Sequence, residues 1–502
     1  MLNKFINWRS IGLCLVFGLA LGLPSRSQAQ VFWTDVENIS RTESSSTWPS
    51  IATDVWGGVH VVWTQKQGGS RPAPPRKPLE IGDAIYYSSW DGRTWSKPVD
   101  IVLGNMLSPT LVHPAIQTSL DGQIYLIWSD IKLGLYFSRA TVATASNTQA
   151  WTPAEKPILE VAAVDRSRLW VDAKGVIHIV YSRLYSGEGG DGNVSYIRST
   201  DNGETWTSPR IISLVNSDLP VASLRPSVAV DAQGGIHVVW DEARPPRWTG
   251  DRVLYSHSTD GGDTWTLPVQ LASFEEVDER WASAPSIAIT SDGQLHVVWT
   301  CGYNPERCYR FSANNGQSWS SRAHIFPNMQ SLAGWDAMLA DAEGKVHFIA
   351  QLRQPEGIYY ASLKAGSEWS PLVQVVDKTP YAQGHFPAAA ISQGNQLNVV
   401  MQNESLGEIW YFRVQTGAKK QSPAAYTPVA LPAIATAQAF STAIAEQTAT
   451  AAAQPTRTPL MVTADPISLN DWRVAQGNIL LLALLPLAAV LIWVVLRRAG
   501  RQ

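Results

Sequence analysis

Residues 226–240 read PSVAVDAQGGIHVVW. A first apolar run leads into Asp231 and the Gly234-Gly235 pair, and a second ends on Trp240. Apolar runs parted by an Asp/Gly turn are the mark of a β-hairpin. The unit occurs six more times, starting at Pro49, Pro114, Ser167, Pro285, Asp336 and Pro387. From Pro49 to Pro387 the chain covers 338 residues in six intervals of about 56, room for one four-stranded propeller blade each. A third short strand follows the hairpins, as in VLYSHS from Val253, and a fourth opens on Trp95, Trp151, Trp206, Trp265, Trp319 and Trp369. The last hairpin has no fourth strand after it, but Trp33-Thr34 near the start of the chain fits the pattern. The repeat therefore predicts an all-β fold: a β-propeller of seven four-stranded blades, with six the main alternative. Its last blade is completed by the N-terminal strand, so the ring has no open edge.

Composition agrees. Of 502 residues only 16% are charged, against roughly 25% in ordinary globular chains, and 22 are tryptophan. That mix, with 36 Gly and 31 Pro, suits short strands and tight turns and argues against a helical bundle. A net charge of −3 without a sustained Lys/Arg run offers nucleic acid no electrostatic footprint.

Both ends of the chain read as membrane address. Residues 1–30 carry Lys4 and Arg9, an apolar stretch from Ile11 to Leu23 and a small-x-small site at Ser27-Gln28-Ala29, the pattern of a signal peptide. The propeller is expected over 31–416. Residues 417–470, rich in Ala, Thr and Pro, bury too little to fold and are expected to form a disordered stalk, on the order of 40 Å long. A transmembrane anchor is expected over 471–497 and a cytoplasmic tail over 498–502. The uncharged run Ile479–Leu496 spans about 27 Å as a helix, and Arg497, Arg498 and Arg501 follow it. Those arginines would keep the C-terminus inside and the propeller extracytoplasmic. Cys301 is expected just after the second strand of the fifth blade and Cys308 at the start of its third, so the two are free to form a disulfide in an exported chain, worth about 2.5 kcal/mol, although spacing alone does not fix the bond.

The turns between third and fourth strands share S-x-D-x-G-x-x-W. It is complete in STDNGETW (Asp201, Gly203, Trp206) and STDGGDTW (Asp260, Gly262, Trp265). SANNGQSW has Asn314 in the Asp place, with Gly316 and Trp319, and SLKAGSEW has Lys364 there. This motif resembles the Asp-box, or BNR, repeat of the sialidase superfamily, and the resemblance covers most of 31–416. In that family the turn is structural and faces away from the active site. An Asp accepting turn N–H bonds, a Gly at positive φ and a covering Trp account for it without chemistry. His60, His178, His237, His296 and His347 share one register, one per blade, so they read as packing residues and not as a metal cluster. No metal and no cofactor are expected.

Departures from the repeat gather where second strands lead to third strands. Ligand-binding candidates toward that face are Arg168, Arg183, Arg225, Arg244, Arg280 and Arg353, whose guanidiniums suit a carboxylate. If the chain is an enzyme, the resemblance implies an exo-α-sialidase-type glycoside hydrolase with Tyr185 as nucleophile, carboxylates from Asp130, Asp241 and Glu242, and a clamp of Arg225, Arg244 and Arg353. The Arg-Ile-Pro tripeptide of catalytic sialidases is absent, and seven repeats exceed that family's usual six. The first expectation is accordingly a tethered, non-catalytic propeller binding glycans or protein ligands. The hydrolase and an envelope assembly scaffold stand as alternatives.

Overall fold

A computed structural model describes residues 32–42, 44–66, 84–103, 111–130, 134–158, 164–183, 192–213, 221–243, 250–273, 281–303, 306–326, 336–353, 356–376 and 384–422. The expected signal peptide, anchor and tail, and the stalk beyond Ser422, lie outside these residues. Among the described residues no helix is long and apolar enough to cross a membrane.

The fold is the expected ring of seven antiparallel sheets. In blade four the strands run Ala222–Val230, Ile236–Ala243, Gly250–Ser258 and Val269–Ser273, in that order from the inside outward. The last blade joins Gly384–Ser392, Gln396–Asn403 and Glu408–Gln415 to the N-terminal Glu37–Asn38. Glu37 pairs with Tyr411, and Ile39 N–H donates to Ile409 C=O at 2.9 Å. Blade two departs from the pattern: its fourth strand is reduced to one bridge, Phe137 to Glu155. There a short 3₁₀ turn at Thr148–Ala150, capped by the Asn147 side chain, takes up chain that elsewhere extends.

Aromatic residues weld each blade to the one before it. The fourth-strand indoles of Trp33, Trp95, Trp151, Trp206, Trp265, Trp319 and Trp369 meet the rings of Tyr360, Tyr411, Tyr87, Phe137, Tyr196, Tyr255 and Tyr309 with centroids 4.8–6.0 Å apart and steep interplanar angles. Edge-on geometry puts positive ring edges against negative faces, worth about 0.5–1.5 kcal/mol per pair beyond area. Seven of the 22 tryptophans thus belong to blade joints.

The repeated histidines are buried beside the same rings. Nδ1 of His60, His178, His237, His296 and His347 lies 2.7–2.9 Å from the third-strand tyrosine hydroxyl of its own blade. Nε2 of His60, His237 and His347 faces the turn carboxylates of Asp54, Asp231 and Asp341 at 3.1–3.2 Å. Burial holds the pKa of His237 and His347 below the usual imidazole value even though their carboxylates pull the other way. At His296, Thr290 stands in that turn position, and burial lowers the pKa to about 4 against the pull of Asp292.

The S-x-D-x-G-x-x-W turns are closed by their own side chains. Asp201 accepts from Thr205 N–H at 2.9 Å and from its hydroxyl at 2.5 Å, and these bonds hold its pKa near 2. Gly203, Gly262 and Gly316 sit at φ +79° to +96° against the preceding blade's Phe137, Tyr196 and Tyr255, where a Cβ would enter the ring. Only glycine meets both demands.

Two sequence expectations need correcting. In SLKAGSEW the ladder sets Leu363, not Ser362, in the place of the turn serine: Leu363 pairs with Val346 as Ser199 pairs with Ile177. The turn is one residue shorter than the letters suggest, and Lys364 is not the counterpart of Asp201. Cys301 lies within its strand instead of after it, and Cys308 is the third residue of the next. Cys301 is opposite Glu306 and Cys308 opposite Trp299, so the two cysteines are diagonal neighbours, and they are joined as a disulfide.

Candidate functional site at the bulged end of the channel

Seven inner strands surround a central channel with two unlike ends. One end carries the hairpin turns. At the other, five inner strands are broken by bulges, where the ladder skips between Thr47 and Ser50, Val112 and Ala115, Leu224 and Ser227, Ser283 and Ser286, and His385 and Ala388. A proline occupies every one of these bulges, because it has no N–H to give the ladder. The residue before it takes a left-handed backbone: Trp48 (φ 55°), His113 (51°), Arg225 (51°), Ala284 (50°) and Phe386 (49°). Such a backbone costs a side-chain-bearing residue about 1–2 kcal/mol, and repeated strain of this kind collects at functional sites.

Trp48, His113 and Phe386 border a cavity of about 260 Å³ at this end. The Trp48 indole stacks on Phe386 (centroids 3.9 Å, planes 29° apart), and His113 meets it edge-on at 4.2 Å. The Arg166 guanidinium lies 5.4 Å from the same indole, a cation–π distance. Four adjoining blades therefore contribute to one aromatic and cationic platform.

The charges around it differ in how they are engaged. Asp241 is fully buried and grips Arg225 with both oxygens, accepting from Nε at 2.8 Å and from Nη2, and it also accepts from Ala284 N–H at 3.3 Å. Burial raises the Asp241 pKa against the pull of Arg225 and of nearby Arg166. Arg307 and Asp336, both buried, form a second two-pronged pair, with Nη2 to Oδ1 at 3.1 Å. His385 and Glu404 stand 2.6 Å apart. Arg168 is the exception. It borders the cavity, its one hydrogen bond goes to its neighbour's carbonyl, Ser167 O, at 3.5 Å, and no carboxylate among the described residues answers it. The surrounding blades lower its pKa although its side chain is exposed to the channel. Exposure and desolvation coincide because the side chain stands in a channel walled by protein.

The sequence candidates are placed as follows. Arg168 borders the cavity and Arg225 sits at a bulge tip, held by Asp241. Asp130 and Glu242 are buried within their second strands, opposite Leu111 and Ser223. Arg183 ends its strand, its N–H donating to Asn193 C=O at 3.0 Å. The backbone of Arg353 pairs with Glu356. Tyr185, Arg244 and Arg280 lie outside the described residues. Sequence reasoning passed over Trp48, His113, Arg166 and Phe386. The signal was present as Trp-Pro, His-Pro, Arg-Pro, Ala-Pro and Phe-Pro at the same point of five repeats, where the proline was read only as a strand start.

Neither a family model nor a curated protein matches the sequence. Among solved structures, the polysaccharide lyase Uly1 is similar at 11% identity and a TM-score of 0.51, over 76% of this chain and 99% of that one. A protein of unknown function from Dyadobacter fermentans is similar at 16% identity (TM-score 0.49; 77% and 99% covered). The Hadza microbial sialidase Hz136 is similar at 11% identity (0.45; 77% and 92%). At these identities the likeness is one of fold: a β-propeller of the kind that the sialidase resemblance implied.

Proposed function

We propose that this chain is an extracytoplasmic, membrane-tethered propeller that binds an acidic glycan at the bulged end of its channel. The observation that carries the reading is the pairing of the Trp48–Phe386 stack with Arg168. An aromatic face covers the apolar side of a sugar ring, and an unanswered guanidinium takes a carboxylate in two parallel hydrogen bonds. Few polar groups in a partly apolar hollow is the usual make-up of a ligand site. Fold likeness to a polysaccharide lyase is in keeping with a glycan ligand and carries no more weight than that. The signal-like N-terminus, the stalk and the anchor would hold the propeller outside the membrane.

A glycan array probed with the full chain in detergent tests the reading. Binding to uronic- or sialic-acid glycans is expected, with Trp48→Ala and Arg168→Ala each weakening it at least tenfold, at about 1–3 kcal/mol per lost contact. Binding unchanged in both variants overturns it. Protease treatment of intact cells tests the address: an exposed propeller is digested, and a protected one refutes the outward orientation.

The second reading, an exo-sialidase-type hydrolase, draws on Asp241, whose burial raises its pKa as an acid catalyst requires. Against it, Arg225 is already spoken for by that carboxylate. Release of a fluorescent aglycone from a sialoside, lost in Asp241→Asn, would establish the enzyme over the binder.

A further inference from the structure

The joint between blades five and six differs from its neighbours. Where the S-x-D-x-G-x-x-W turn is full length, it reaches over the preceding blade: Gly262 lies on Tyr196, and the Tyr196 hydroxyl donates to Gly261 C=O at 3.2 Å. The shortened turn of blade six folds back on itself through a Leu363–Trp369 bridge, and Gly366 has nothing within 4 Å of where a Cβ would stand. Tyr309 and Phe311 of blade five are left facing an open cleft of about 950 Å³, with Phe326, Trp369, Leu363 and Lys364 among its walls. Phe311 remains 38% exposed, although its ring lies alongside Tyr309 with centroids 6.2 Å apart.

Blade one shows what such a cleft needs. Its turn is also short and folds back through a Trp90–Trp95 bridge, with Gly92 again touching nothing. There the space is filled from within. The Trp90 indole lies 6.4 Å from Tyr411 of the preceding blade and 5.9 Å from Trp95, and Arg413 lies 4.8 Å over its face. By ladder register Trp90 corresponds to Leu363, for each sits three residues past the third-strand tyrosine, opposite Val59 and Val346. Trp95 corresponds to Trp369, Tyr411 to Tyr309, and Arg413 to Phe311. The joint between blades five and six is thus the joint between blades seven and one with its indole taken out.

We infer that this cleft is a second binding site, for a flat, uncharged aromatic ring of indole size, which lies against Tyr309 and Trp369 as Trp90 lies against Tyr411 and Trp95. The site lies on the outer wall of the ring and is independent of the glycan reading. Phe311 in the position of Arg413 puts an apolar ring edge where blade one sets a cation over the indole face, which favours an uncharged ring at that point, with Lys364 and Glu368 elsewhere along the cleft. The ring would come from a small molecule, with the cleft's mouth open to water for its substituent.

Saturation-transfer NMR with indole and the full chain in detergent tests this, with methyl glucoside as the competing chemistry. Indole is expected to bind, and Leu363→Trp, which rebuilds the blade-one arrangement, to abolish binding while raising Tm. Phe311→Ser, at an exposed edge, is expected to weaken binding at least fivefold and guards against a Leu363→Trp chain that fails to fold. No indole binding, indole binding unchanged in a folded Leu363→Trp or in Phe311→Ser, or preference for the glucoside would overturn the assignment. N-acetyl-tryptophanamide as a third probe reports the source: binding tighter than indole marks a peptide side chain as the ligand and overturns the small-molecule assignment.

Discussion

The two ends of the channel use one repeat in opposite ways. At the turn end, most blades keep the same residues for the same contacts: five set a buried histidine on its tyrosine, three of these have the turn carboxylate within 3.2 Å behind it, and three turns lay a glycine on the neighbouring ring. At the bulged end the backbone repeats and the side chains do not, for five equivalent tips carry Trp, His, Arg, Ala and Phe. Uniform contacts suit closing a ring. Variation on a fixed, strained backbone suits recognition. The ends should therefore answer mutation differently, in stability at one and in binding at the other.

The largest expected effect is an exception to that rule. Arg225→Ala, at a bulge tip, leaves Asp241 charged and buried without its partner, and should cost about 3–5 kcal/mol by urea denaturation. If the cost stays under about 1 kcal/mol, Arg225 is a binding residue and the bulged end is free of structural duty. Next, Gly262→Ala forces a Cβ into Tyr196 at φ +96°, for about 2–4 kcal/mol with binding at the bulged end unchanged. A loss of glycan binding at equal stability would show the two ends to be coupled.

Between the histidines the comparison sharpens further. His296 has a folded pKa near 4 and an unfolded value near 6.5, so the unfolded chain binds more protons between those limits. Its contribution is present above about pH 6.5 and lost as pH falls toward 4, on the order of 2–3 kcal/mol. His296→Gln should flatten that part of the stability profile more than His237→Gln does, because Asp231 offsets the burial of His237. Equal flattening would show that the turn carboxylate does not matter. The smallest effect belongs to Ala284→Gly, which relieves a left-handed residue and should raise stability by up to about 1 kcal/mol.

The ring, its blade count and its closure were legible because each blade spells its strands in the same order and Trp33 sits where a missing fourth strand required it. Arg168 was legible as a cation near the right face. The platform was not, because a tryptophan before a proline looks like any strand start until a bulge turns it toward the channel. The turn of blade six misled for a related reason. SLKAGSEW keeps its Ser, Gly and Trp at motif spacing, but register is set by Leu363 lying opposite Val346, and letters slide by one residue without changing the pattern. Tyr185, Arg244 and Arg280 belong to stretches of sequence that the repeat does not cover and lie outside the described residues.

The closure of the ring has a consequence in time. The strand made first, Glu37–Asn38, pairs with one made some 370 residues later, and Thr34 N–H finds Arg413 C=O at 3.0 Å. At a ribosomal rate of about 5–20 residues per second, the opening residues wait tens of seconds for their partner. Until then the five joints among blades one to six can form and the two that blade seven makes cannot, so the growing chain carries an unpaired strand edge at each end, and a truncated product keeps both.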